Sequence, residues 1–257
     1  MNRLMKNIFL VIFISISSLA YSQTIYKIWV GENLEYLELT KRKANFDYGY
    51  HLNDYGISYK DSLLRIIDYF WQAGKFGRQH EDYFFKVLKL TNDTLIVSPL
   101  NERAKNVINN KEKFVFVDKT KLYKTELKFQ RISFSGTGCF GNCPTLKIEI
   151  DSTGIVNFLG EYNTGSLKGF YKGQLTPNQL AYLIELLKMS ELDRFPRYLG
   201  DAIDAPNYNF KFYYNGKTRT SEGYFIPYFN HSLLNYLLNI YNDINFEKSE
   251  EIYEFGK

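Results

Sequence analysis

Cys139-Phe140-Gly141-Asn142-Cys143-Pro144-Thr145-Leu146-Lys147-Ile148-Glu149-Ile150 holds both cysteines of the chain, and the residues after Pro144 decide how the C-terminal half is read. There Leu146, Ile148 and Ile150 alternate with Lys147 and Glu149, the period-two pattern of a strand with one buried face. A redox dithiol of the usual kind sits at a helix N-terminus, which lowers the thiol pKa. A strand in that place makes the cysteine turn the lead-in to a sheet.

Three chemistries fit the pair. A structural disulfide between Cys139 and Cys143 suits an oxidising compartment and a glycine-rich turn, and would fix the direction in which the chain leaves Pro144. A thiol-redox role would need an exposed, reactive thiolate. The third is copper handling. Cys-x-x-x-Cys-Pro is also found in copper-delivery proteins of thioredoxin fold, and His231, the only histidine in this half, would be the further ligand. Phe140 is read as a local hydrophobic plug.

Working outward, Leu127 to Phe134 reads as the strand that enters the turn. Asp151-Ser152-Thr153-Gly154 is a turn, Ile155 to Leu159 the returning strand, and Gly165 to Gly173 adds a third. Thr176-Pro177-Asn178-Gln179 places a hydroxyl at a helix N-cap, proline at the first helical position and glutamine where it closes a capping box. Leu180, Leu183, Ile184 and Leu187 then form one apolar stripe, read as core packing. The stretch Phe195 to Pro206, with Asp193, Arg194, Arg197, Asp201 and Asp204 in or beside it, is read as a solvated loop. It lacks the dense oxygen ligands of a calcium site. Tyr208 to Tyr214, Asn215-Gly216 and Lys217 to Thr220 form a hairpin, because Asn-Gly suits a turn with two positive φ angles. Asn230 or Ser232 is expected to cap a last helix carrying Leu233, Leu234, Leu237, Leu238 and Tyr241, with His231 as a surface group in its first turn.

The order of Cys139-Phe140-Gly141-Asn142-Cys143-Pro144, alternating strand, Asp151–Gly154 turn, strand, Thr176-Pro177-capped helix and Asp204-Ala205-Pro206 resembles an uncharacterised domain family. That family belongs to exported proteins, mainly of Bacteroidetes-type bacteria, and is built around a C-F-G-x-C-P pattern. The resemblance covers roughly residues 127–245 and implies export and domain bounds, with no activity to carry over. Thr145-Leu146 departs from the aliphatic-tyrosine pair often found after the motif, which weakens a tyrosine-based site there.

The first half is aromatic and strand-rich, in a chain with 22 Tyr and 21 Phe. Ile25 to Val30, the second half of Leu34 to Leu39, Phe84 to Leu90, Thr94 to Val97 and Phe114 to Val117 read as strands. Thr91-Asn92-Asp93 turns one hairpin. Leu63, Ile66, Ile67 and Phe70 recur at helical spacing after Asp61, so Asp61 to Trp71 is read as a short helix, although its residues are also strand formers. The expected fold is therefore α+β: an aromatic-rich antiparallel β domain over 23–120, then an α+β domain over 125–246 with an antiparallel sheet and two helices. A partial barrel is one closure of the first domain. A lipocalin-like cup is another, and would carry a small-molecule site. Residues 247–257 are charged and expected to form a flexible tail. His51 and His80 have no companions at ligand spacing and are read as surface or hydrogen-bonding groups.

At the N-terminus, Arg3 and Lys6, the apolar run Ile8 to Ile14 and the small residues before Gln23 read as an export signal over 1–22, cleaved between Ser22 and Gln23. A retained anchor is the other reading, disfavoured by the short apolar run. Cleavage takes the formal charge from +4 to +2. With no cationic block, a dedicated nucleic-acid surface is excluded. No serine elbow, zinc motif or convergent histidine cluster signals catalysis. The leading expectation is a noncatalytic periplasmic or secreted module without a cofactor, binding a small molecule, a glycan or an envelope protein. A thiol-redox or copper-handling protein using Cys139 and Cys143 is the alternative.

Overall fold

The computed structural model describes residues 24–47, 52–139 and 141–257. The export signal with its cleavage point, His51 and Phe140 lie outside them.

Eight strands close an antiparallel barrel: β1 (Ile28–Val30), β2 (Tyr36–Leu39), β3 (Lys43–Asp47), β4 (Leu52–Lys60), β5 (Leu63–Phe70), β6 (Gln79–Leu90), β7 (Thr94–Pro99) and β8 (Phe114–Asp118). Asp61 and Ser62, both at positive φ, make the tight turn between β4 and β5. The expected helix over 61–71 is thus a strand. Its doublets Leu63-Leu64 and Ile66-Ile67 satisfy either period. The left-handed turn and the β-branched and aromatic content select the extended form, with Leu64 and Ile66 buried.

Among the described residues, no cup opens inside the barrel. Leu37, Phe46, Leu64, Ile66, Phe85, Val97 and Phe116 converge from the strands. A helix between β7 and β8, α1 (Glu102–Val107), adds Ala104, Val107 and Ile108 to the same core. The remaining cavity is about 10 Å³, at the limit for one water and far below a ligand's need. Asn101 holds α1 in place: its side chain accepts from Ala104 N and Phe84 N and donates to the Asp82 carbonyl. The lipocalin-like expectation fails because large side chains fill an eight-stranded interior.

The barrel seam lies where Trp29 pairs with Asp118 and Val30 with Val117. Trp29 is fully buried and donates its indole N–H to the Ile25 carbonyl at 2.8 Å. Asp118 accepts from Lys27 Nζ at 2.8 Å and from the N–H and hydroxyl of Thr120.

The second unit is a seven-stranded sheet of β9 (Phe129–Gly136), β10 (Thr145–Asp151), β11 (Ile155–Tyr162), β12 (Gly169–Gln174), β13 (Tyr208–Tyr214), β14 (Lys217–Gly223) and β15 (Phe246–Lys248). Their order is β14-β13-β9-β10-β11-β12-β15. Helices α2 (Pro177–Lys188) and α3 (His231–Asn239) give Leu183, Leu187, Leu233 and Leu237 to one core with the sheet residues Ile132, Phe134, Ile148, Phe158 and Phe212. Thr176 and Gln179 form the expected capping box, with Pro177 in the first turn. Asn215 and Gly216 both take positive φ at the β13–β14 turn. At α3 the expected cap is absent. A 3-10 turn at Tyr228–Asn230 runs straight into the helix, and buried Asn230 donates instead to the Ser190 carbonyl.

Where a flexible tail is expected over 247–257, the chain pairs and returns. Phe246–Lys248 pairs with β12, and Tyr253 to Lys257 strap the sheet face opposite the helices. The anchor is Glu149, 2% exposed, which meets Arg131 at 3.2 Å and accepts from the Gly256 N–H at 2.8 Å and from the Tyr253 hydroxyl. Burial first, and the hydrogen bond to Glu149 second, push the Tyr253 phenol up to about 12.

The seam carries a pH signature. Burial alone would raise the Asp118 carboxyl, but the hydrogen bonds from Lys27 and Thr120 outweigh it and hold the group below its ordinary value. A depressed folded pKa gives stability that is complete above the unfolded value, about 4, and lost as pH falls through the folded one. Asp118→Asn is expected to lower stability at pH 7 by about 1 kcal/mol and to flatten the acid limb. Urea midpoints measured from pH 7 to pH 3 check both effects.

Candidate functional site

A concavity between the two units starts from the barrel's β1–β2 loop. Asn33, Leu34 and Glu35 form one wall, with Leu34 at positive φ and buried. The Asn33 backbone N–H and side-chain amide both donate to the Glu35 carboxylate, at 2.8 and 3.1 Å, which stiffens the loop. The opposite wall comes from the sheet unit: Ala205, Pro206 and Tyr208 before and at the start of β13, Tyr224 to Tyr228 after β14, and His231 and Leu234 of α3. The groove encloses about 510 Å³, within the size of small-ligand sites.

The walls are held by an inter-unit joint. Arg194 donates through Nη2 to the Gly31 and Glu32 carbonyls, at 2.5 Å each, and through Nε to the Glu32 carbonyl at 3.2 Å. Glu191, buried and ion-paired with Lys124 at 3.0 Å, lies 3.5 Å from Arg194 and compensates its charge. An apolar cluster closes behind this bridge: Val30, Leu34, Tyr36, Leu122 and Phe229, with Tyr228 packed against it. Tyr36 and Tyr228 meet edge to face at 4.9 Å. Burial, with a smaller push from Glu38, raises the Tyr36 phenol above its ordinary value.

Gly223 sets the direction of the 224–228 wall. It has φ of +136°, and a Cβ there would lie 2.8 Å from the Gly200 carbonyl oxygen, so only glycine fits. Tyr208, at the mouth, is half-buried and its phenol is pushed up by burial. His231 is also half-buried rather than a surface group. Its Nε2 lies 3.1 Å from the Ile226 carbonyl, which can only accept, so that nitrogen carries the proton. Its ring packs 4.7 Å from Tyr228. The sequence places His231 at a helix start but gives no sign that the preceding loop folds over it.

Cys139 and Cys143 are joined as a disulfide with Cα atoms 5.5 Å apart. The turn is tied to its surroundings by Asn163, whose amide donates to the Cys143 carbonyl at 3.2 Å. Two residues before the bridge, Thr137 N donates to the Asn207 carbonyl and Asn207 N to the Thr137 hydroxyl, both at 2.9 Å. The clasp therefore steadies the chain that carries Pro206 and Tyr208 into the groove wall.

Among the described residues, no group of three or more His, Cys, Asp or Glu could hold a metal, so Cys139, Cys143 and His231 are not gathered into one site. Asp193 accepts from the Tyr214 hydroxyl at 3.0 Å, while Asp201 and Asp204 are exposed. His80 lies 3.4 Å from Asp82 on the barrel surface. Sequence reasoning missed Arg194, which reads as one more charge in a polar loop.

Residues 130–244 match the model of a family described as a domain of unknown function (DUF6438), nearly the span of the resemblance drawn from the sequence. No curated protein and no solved structure matches the chain. No helix among the described residues is long and apolar enough to cross a membrane.

Replacing Cys139 and Cys143 together by serine removes a five-residue closed loop, whose entropic contribution is about 2 kcal/mol. The expected result is that loss in urea-unfolding free energy with an unchanged far-ultraviolet circular dichroism spectrum.

Proposed function

We propose that the protein is an exported, noncatalytic binding module of the bacterial envelope, periplasmic or secreted, and that the groove between barrel and sheet receives its ligand. One observation carries this reading: a 510 Å³ groove between two units, lined by Tyr208, Tyr224, Phe225 and Tyr228 with Asn33, Glu35 and His231 beside them. Aromatic faces pack against rings, and a few fixed polar groups orient what packs there. The ligand class that suits this mixture is a ring-bearing small molecule, with a glycan unit as the leading case. A loop of an envelope protein is the larger occupant of the same surface.

Saturation-transfer NMR with the full chain against a panel of oligosaccharides tests the reading. Signal transfer to at least one glycan is expected, together with a loss of affinity of about tenfold or more in Tyr224→Ala. Tyr224 takes no part in the Arg194 bridge or the apolar cluster behind it, so thermal stability should hardly change. A panel that shows no transfer, or a Tyr224→Ala chain that binds as the parent does, contradicts the glycan reading.

A second reading is favoured by a separate observation. The Cys139–Cys143 bridge is only half-buried, and Gly141 and Asn142 beside it are exposed, so a reductant or partner thiol has access. On that reading the bridge cycles between disulfide and dithiol, and copper handling would follow only in the dithiol form.

A further inference from the structure

The β5–β6 hairpin carries an assembly that the groove does not use. Its tip runs Trp71-Gln72-Ala73-Gly74-Lys75-Phe76-Gly77-Arg78. From Tyr69 to His80 the chain has four aromatic residues, one lysine, one arginine and no acid. The side chains face solvent: Trp71 is 70% exposed, Tyr69 is 48% exposed, and Phe76 is fully exposed. Single exposed apolar residues are ordinary, whereas three aromatics around one hairpin tip form a patch.

The charges at the tip are also unspent. Among the described residues Lys75 and Arg78 form no ion pair, and the Arg78 guanidinium lies 5.9 Å from the Trp71 ring centre. The acids at the hairpin base are occupied elsewhere. Asp68 and Glu81 pair with Arg103, and Asp82 pairs with Arg65 at 2.8 Å. The cationic tip therefore stands out from a neutralised base. Gly74 and Gly77 take positive φ, and a Cβ at either would have nothing within 4 Å, so the tip projects without packing against the barrel.

A projecting tip is the wrong shape for a small ligand, which needs a concave site. Two cations are too few for a nucleic-acid surface. Aromatic rings beside basic groups match the boundary between headgroups and acyl chains of a bilayer. Tryptophan rings settle at that depth, and each Lys or Arg is drawn to anionic headgroups. We propose that the β5–β6 tip is a membrane-docking loop for an anionic lipid surface, with Trp71 and Phe76 entering the interface and Lys75 and Arg78 contacting the headgroups. This inference does not rest on what the groove binds.

The two tryptophans make the test direct. Trp29 is fully buried and Trp71 is exposed, so a shift in emission on binding reports Trp71. The full chain is mixed with vesicles of phosphatidylcholine alone, or of phosphatidylcholine with one third phosphatidylglycerol, and followed by emission and co-sedimentation. A blue shift and salt-sensitive binding are expected on the anionic vesicles, with little of either on neutral ones. Both Phe76→Ser and the double variant Lys75→Gln/Arg78→Gln should bind roughly tenfold more weakly or worse, at unchanged circular dichroism. Comparing parent and variants isolates the tip, since binding through any other segment is common to all. An unshifted Trp71 emission on anionic vesicles would overturn the proposal. So would variants that bind like the parent, or equal binding to neutral vesicles. A blue shift that tracks protein concentration without lipid would overturn it in favour of self-association through the tip.

Discussion

The guanidinium of Arg194 is the contact on which the joining of the two units turns. In the β1–β2 loop the Gly31 carbonyl accepts from the Leu34 N–H at 3.3 Å, and the Gly31 and Glu32 carbonyls both accept from Arg194. Arg194, held between those carbonyls and the Glu191 carboxylate, converts an exposed loop into a fixed wall. Charge-assisted hydrogen bonds of this kind are stronger than neutral ones, and a fork of donors sets direction as well as distance. The apolar cluster of Val30, Leu34, Tyr36, Leu122 and Phe229 then removes the same seam from water. Directional bonds fix the angle, and apolar burial supplies most of the stabilisation. The groove arises where the two surfaces part.

Each unit also solves a separate problem with a buried or half-buried charge. The barrel must close its first strand on its last, and does so beside Asp118, whose neighbours Lys27 and Thr120 satisfy it. The sheet has helices on one face only. Its other face is polar, and buried Glu149 draws the Tyr253–Lys257 segment across it through an aromatic hydroxyl and a backbone N–H. Both carboxylates sit among donors, as buried charge requires. The Cys139–Cys143 bridge works locally by comparison, steadying a turn whose neighbour, Asn207, leads into the groove wall.

Much of this fold is legible in the sequence where local chemistry decides the outcome. Thr176-Pro177-Asn178-Gln179 specifies a capped helix from four adjacent residues, Asn215-Gly216 specifies a two-residue hairpin, and the alternation after Pro144 specifies a strand. The α+β division and the aromatic antiparallel first unit rest on the same kind of signal. Reading fails where distant residues decide. Leu63 to Phe70 satisfies both periods, and only its turn and its barrel neighbours make it a strand. Whether eight strands leave a cup depends on which side chains meet at the centre and on α1, whose six residues carry too weak a pattern to notice. Arg194 gains its role from carbonyls some 160 residues away. The Tyr253–Lys257 strap likewise depends on Glu149, which in sequence is only the polar half of an alternating strand.

Amide hydrogen exchange in an Arg194→Ala chain tests the joint most directly. If the bridge fixes both walls, residues 31–35 and 224–231 should lose protection together, by about tenfold or more. The barrel seam at Trp29–Asp118 and the interior of the helix starting at Pro177 should keep theirs. Loss of protection on one wall alone, or none on either, would contradict a groove held open by this contact.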